Sequence, residues 1–263
     1  MCHGSCLASL PDGRLLCVWF GGSKEGAADT EIYSSLGTPV FRKRSLTPED
    51  VKSKGLYDGK GQIELDVTCQ WSEPVCLTQM PEACWNPVLL VYQNKVCLFF
   101  KTGDRIADWQ TFVMTSPTDP VYWSAPRELV PQDRNGGRGP VRTKPIILPS
   151  GRICAGGSVE RGDWQSFCDY SDDGGNTWQR TALLGLNLLA ENLPEAGNLL
   201  PEAQPDQTVL PPLSPQSFNG RGIIQPALWQ ESNGRVHMYM RSTEGYLYSS
   251  CLLYTSDAAD EAR

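Results

Sequence analysis

An apolar strand, a Gly- or Asn-centred turn and a second apolar strand recur four times along this chain. The first copy runs from His3 through Pro11-Asp12-Gly13-Arg14 to Phe20, and the second from Asn86 through Gln93-Asn94-Lys95 to Phe100. The third starts at Lys144 and turns at Pro149-Ser150-Gly151-Arg152; the fourth starts at Gln225, turns at Ser232-Asn233-Gly234-Arg235 and ends at Met240. Trp-marked corners follow, at Trp71-Ser72-Glu73-Pro74, at Trp123-Ser124-Ala125-Pro126 and in the fuller Ser171-Asp-Asp-Gly-Gly-Asn-Thr-Trp178. These tryptophans lie about 52 and 55 residues apart. Short strands and Gly/Pro turns repeating at that period are what propeller blades look like. Asp-Gly, Ser-Gly and Asn-Gly between apolar runs are hairpin signals, and capped stripes of helical period are almost missing. The expected fold is an all-β propeller of about four blades.

Bulk properties narrow the partners. Apolar residues make up 40% of the chain and charged ones 20%, enough for a packed core. The net charge of −7 argues against nucleic acid or an anionic membrane as the main partner. No apolar run approaches the roughly 20 residues a membrane span needs. Met1-Cys2-His3-Gly4 enters the first repeat with no basic leader, which predicts a cytoplasmic location; a secreted or periplasmic one stays open if the N-terminus is incomplete. The ten cysteines form no CxxC pair, and Cys6, Cys17, Cys97 and Cys154 sit among apolar strand residues, so free buried thiols are expected, with no metal and no cofactor.

Two of the repeat intervals are about 25 residues longer than the unit, which places insertions near 41–62 and 183–219. Such insertions are expected as loops on one face. Blades are expected at about 3–80, 82–135, 138–190 and 220–250. Residues 251–263 read as the conceptual translation of a transposon-type sequencing adapter, so 1–250 is taken as one truncated propeller.

The repeat also selects candidate site residues. In a propeller the first strand of each blade lines the axis, so His3, Asn86, Lys144 and Gln225 should form a polar ring at one mouth. A second ring follows the hairpins: Lys24, Glu25, Lys101, Glu160 and Arg241. Its cations suit an anionic sugar, since a guanidinium grips a carboxylate bidentately and lysines add point charge. Asp29, in the small-residue run Gly26-Ala27-Ala28-Asp29, is the candidate acid/base; a general acid there needs apolar neighbours to hold its proton.

Ser171, Asp173, Gly175 and Trp178 fit the Asp-box pattern S-x-D-x-G-x-T-W, a turn-forming structural device. With this box, His3-Gly4-Ser5, Gly21-Gly-Ser-Lys-Glu-Gly26, Trp85-Asn86-Pro87, Gly139-Pro-Val-Arg-Thr-Lys-Pro145, Ser158-Val159-Glu160, Ile224-Gln225-Pro226 and Arg241-Ser242, the chain resembles the sialidase-like (neuraminidase) superfamily of six-bladed propellers. The likeness lies with its predicted bacterial branch. That resemblance implies an exo-acting glycoside hydrolase releasing a terminal sialic acid or related anionic sugar. It also implies an arginine triad for the carboxylate, an Asp acid/base and a Tyr–Glu nucleophilic pair. Arg241 matches one triad arginine, whereas His3 and Lys24 stand where two arginines are expected. Gln225 stands where the Glu is expected, with Glu160 as its substitute on the neighbouring blade. The nucleophilic Tyr and the third arginine are expected beyond Ser250. The alternatives are a non-catalytic carbohydrate-binding propeller, or a uronate-acting lyase or hydrolase with His3 as base. The expected partner in each case is a glycan ending in an acidic sugar.

Overall fold

The computed structural model describes residues 1–45, 47, 49, 63–118, 122–186 and 220–252. They form four antiparallel sheets, one per repeat. The first holds β1 (Cys2–Ser9), β2 (Leu15–Gly21), β3 (Glu31–Ser45), β4 (Ile63–Trp71) and β5 (Val75–Cys76). The second holds β6 (Cys84–Tyr92), β7 (Lys95–Thr102), β8 (Gln110–Pro117) and β9 (Arg127–Glu128). The third holds β10 (Ile146–Ile147), β11 (Ile153–Val159), β12 (Gln165–Ser171) and β13 (Gln179–Arg180), and the fourth β14 (Ile223–Gln230), β15 (Val236–Ser242) and β16 (Leu247–Leu252). Within each sheet the strands follow chain order, apart from β5, which pairs with β3 beside β4. No described helix is long and apolar enough to cross a membrane.

The recurring turn has a common chemistry. In the first, third and fourth sheets the residue opening the turn donates its N–H four residues ahead and accepts from the glycine: Leu10 with Arg14 and Gly13, Leu148 with Arg152 and Gly151, Glu231 with Arg235 and Gly234. Those glycines sit at φ of +85°, +87° and +89°, where a Cβ would be strained. A polar side chain one residue earlier caps the following arginine N–H: Asp12 and Asn233 at 3.0 Å, Ser150 at 3.4 Å. The second sheet uses a two-residue turn instead, with Gln93 and Asn94 both at positive φ.

Successive sheets stack face to face. Val18, Phe20 and Ile32 pack on Leu89, Leu98, Phe100 and Met114. Val88, Leu90, Phe99 and Val113 meet Ile153, Ala155 and Trp178. Cys154, Cys168 and Tyr170 meet Leu228, Val236, Met238 and Leu252. This is a four-blade propeller arrangement. All ten cysteines are free thiols, and burial raises the Cys84 and Cys97 thiols above their ordinary pKa.

Two expectations need correcting. The first insertion is not a loop at its base: Phe41 to Ser45 continue β3 and pair with β4 down to Ile63, so the blade extends as a hairpin. In the fourth sheet β16 runs on through Cys251 to Leu252, which is buried in the seam between the third and fourth sheets. Finally, β1, β6 and β14 each carry a bulge in the same place, at which Gly4, Asn86 and Gln225 take φ of +65°, +43° and +54°. Gly4, not His3, is therefore the equivalent of Asn86 and Gln225, and the polar ring is one residue out of register in the first sheet. The second insertion, beyond Leu186, lies outside the described residues until Gly220.

Candidate functional site

Because every sheet runs up and down, the starts of the first strands share one end with the connections after the second strands. His3, Asn86, Lys144 and Gln225 therefore lie at the same end as Lys24, Glu25, Asp29 and Glu160. His3 and Glu25 meet: Nδ1 stands 3.5 Å from Oε1, both side chains more than half exposed. The His3 ring also sits edge-on to Phe20, which contacts Trp85 of the next sheet. Trp85 is fixed by its Nε1–H donating to the Gly103 carbonyl at 2.8 Å, and it touches Trp109. Gly26 lies against the Trp85 ring, so the small-residue loop approaches this aromatic floor at its first residue.

Asp29 is exposed, and its carboxylate accepts from the Ser23 backbone N–H at 3.0 and 3.2 Å and from Ser23 Oγ at 2.9 Å. This is the bonding of an acceptor that shapes a loop. Glu160 stands differently. It is half-buried after β11, and burial raises its carboxyl above the usual range while the Arg241 charge pulls it back. Lys24, Lys144 and Arg241 are exposed cations at this end, and Asn86 and Gln225 are half-buried.

Lys101 departs from the expectation that it lines the mouth. Only 1% exposed, it points into the seam between the second and third sheets. Its Nζ donates to Thr111 Oγ1 at 2.7 Å and to the Arg138 carbonyl. Burial lowers its pKa to about 7. The reason is a partner 37 residues away, which the local apolar run around Lys101 does not announce.

Arg142 was not among the candidates, although it lies inside the 139–145 motif. Its side chain is exposed, and Nη1 comes within 3.3 Å of the point where a Cβ on Gly4 would sit. A guanidinium from the segment leading into the third sheet thus approaches the first strand of the first. Among the described residues no carboxylate pairs with it. The signal available in sequence was an arginine two residues before Lys144.

The 171–178 turn lies at the opposite end. Asp173 Oδ1 accepts from Ser171 Oγ and the Asn176 and Thr177 N–H groups, and Oδ2 accepts from Thr177 Oγ1 at 2.6 Å. Those bonds, chiefly from Thr177, hold the Asp173 carboxyl well below the usual carboxylate range. Trp178 is 7% exposed and meets Phe99 of the second sheet edge-on, with centroids 5.9 Å apart.

With this geometry stands a match over nearly the whole chain: the BNR repeat-like domain family model covers residues 13–261. The chain belongs to that family. Among curated proteins none matches it. Solved structures similar to this BNR repeat-like chain include a protein of unknown function from Dyadobacter fermentans, with TM-score 0.57 and 12% identity over 95% of this chain and 65% of that one. Trypanosoma rangeli sialidase in complex with the inhibitor DANA is similar with TM-score 0.52 and 12% identity, over 95% of this chain and 36% of the sialidase. A family 117 glycoside hydrolase from the marine bacterium Zobellia galactanivorans gives TM-score 0.51 and 10% identity over 95% and 66%. The chain thus spans from about a third to two thirds of the length of these proteins. At such identities the likeness concerns the fold, which is that of a sialidase-like BNR propeller.

Proposed function

We propose that this chain carries the substrate-facing part of a glycoside hydrolase of the sialidase type, acting on a glycan that ends in an anionic sugar. The observation that carries the reading is Arg142, an exposed guanidinium brought against Gly4 with the His3–Glu25 pair on the same strand end. A planar guanidinium suits a carboxylate, with Lys24, Lys144 and Arg241 adding positive potential. His3, Asn86 and Gln225 supply hydrogen-bonding groups for sugar hydroxyls. Glu160 is the better proton donor of the two acids, since its burial favours the protonated form that a general acid needs. Asp29 orders the loop that meets Trp85 at Gly26. The 171–178 turn is read as an Asp box, holding the architecture and taking no part in chemistry.

The test is release of 4-methylumbelliferone from sialyl and uronosyl conjugates by the purified protein. Turnover that falls about 10²-fold or more in Glu160→Gln supports Glu160 as the proton donor. Turnover indifferent to both Glu160→Gln and Arg142→Gln contradicts the reading of both residues.

A second reading, a carbohydrate-binding propeller without hydrolysis, is favoured by one observation. Asp29, where the resemblance places the acid/base, is engaged as an acceptor by Ser23. Binding of the same conjugates without release of the fluorophore would select it.

A further inference from the structure

Residues 136–141 form no strand, yet all of them are buried between the second and third sheets. Backbone polar groups in such a place must find partners, and here they converge on Arg138. Its N–H donates to Thr111 Oγ1 at 2.9 Å, and its carbonyl accepts from Thr111 Oγ1 at 2.6 Å and from Lys101 Nζ. Lys101 Nζ also donates to Thr111 Oγ1, so that hydroxyl gives its one proton and fills both lone pairs. Lys101 and Thr111 are direct partners across β7 and β8. On the other side the Arg138 guanidinium grips the Asp169 carboxylate at 2.7 and 3.0 Å, and the Gly139 N–H donates to Asp169. The Val141 N–H then donates to the Gly156 carbonyl at 3.1 Å. The next residue is Arg142.

We propose that Lys101 and Thr111 are positioning residues: by holding Arg138 they fix the 138–141 segment in the seam and so set where Arg142 presents its guanidinium. The function rests on the reading of Arg142 as the anion-gripping group. Cross-strand register makes Lys101 the counterpart of Phe20, which pairs with His3 as Lys101 pairs with Trp85. An aromatic ring fills the seam between the first and second sheets at that place; it offers no donor to a carbonyl. Lys101 gives up apolar packing there and gains one hydrogen bond to the Arg138 carbonyl, in the segment leading into the site, and one to Thr111 Oγ1 on the neighbouring strand. The charges around it are Asp169, Asp133 and Arg138. A neutral amine keeps two N–H groups, enough for both bonds, so the hold persists whichever way Lys101 titrates.

Hydrogen exchange on the unliganded chain tests the hold. Lys101→Met and Thr111→Val should each speed exchange at the Arg138, Gly139 and Val141 amides about tenfold or more, as loss of a buried hydrogen bond implies. Thr111→Ser, which keeps the hydroxyl, should match the wild type. Phe99→Leu disturbs the same seam without touching Arg138 and sets the background. Exchange at 138–141 that stays at this background in Lys101→Met and Thr111→Val overturns the proposal. Calorimetric titration with N-acetylneuraminic acid tests the consequence: where Arg142→Gln loses binding, Lys101→Met should lose at least about threefold, a modest fraction of the guanidinium contact. Wild-type affinity in Lys101→Met, with Arg142→Gln impaired, overturns the positioning role. Wild-type affinity in Arg142→Gln refutes the anion-site reading instead, and the exchange comparison alone then decides the hold.

Discussion

Arg138 and Asp169 form an ion pair that water does not reach, with Nη2 and Oδ1 2.7 Å apart and side chains 3% and 0% exposed. Removing one partner leaves the other charged and buried. Arg138→Met or Asp169→Leu alone should therefore cost about 3–5 kcal/mol, while the double substitution should cost less than the sum of the two. Urea unfolding of the three variants checks this, and strict additivity would count against a paired charge.

Trp178 bridges the second and third sheets, touching Phe99 and held by its Nε1–H to the Gly175 carbonyl at 3.2 Å. Trp178→Ala should destabilise by about 3–5 kcal/mol, the usual range for a buried aromatic. A midpoint shift worth less than about 1 kcal/mol would mean that the seam does not depend on it.

Lys101 makes stability depend on pH in a definite direction. Its folded pKa is about 7, against 10.5 ordinarily. Between these values the unfolded chain binds a proton that the folded chain lacks, so stability rises with pH across that window. The wild type should gain on the order of 3–5 kcal/mol relative to Lys101→Met between about pH 7 and pH 10. A difference that stays flat or falls over that range contradicts the burial of this amine.

Glu160 should titrate above the usual carboxylate range, because burial opposes its charge and Arg241 only partly offsets this. Arg241→Gln should move it further up, as removal of a neighbouring cation must. Carbon-13 NMR of the Glu160 carboxyl against pH reads both, and a downward move in the variant would separate the two residues.

The fold was legible because its signals are local. Asp12-Gly13, Ser150-Gly151 and Asn233-Gly234 each specify a turn within five residues, and the strands follow from those turns. The site was harder to read where geometry is set at a distance. His3 looked like the counterpart of Asn86 because both are polar, but the bulge is marked by positive φ, which Gly4 supplies and a polar side chain does not advertise. Lys101 reads as the charged end of a strand until the Arg138 carbonyl is seen above it. Arg142 lies within the 139–145 motif, yet only the approach of its guanidinium to Gly4, more than 130 residues away in the chain, gives it a place.

An anionic sugar should bind where Arg142 meets the first strand, and nitrogen-15 spectra of the chain titrated with N-acetylneuraminic acid decide whether it does. Shifts are expected at residues 3–5, 85–87, 142–144 and 224–226, lost in Arg142→Gln and not produced by galactose. Shifts confined to the opposite end, at residues 12–14, 150–152 and 171–178, or equal shifts with galactose, would contradict binding at Arg142.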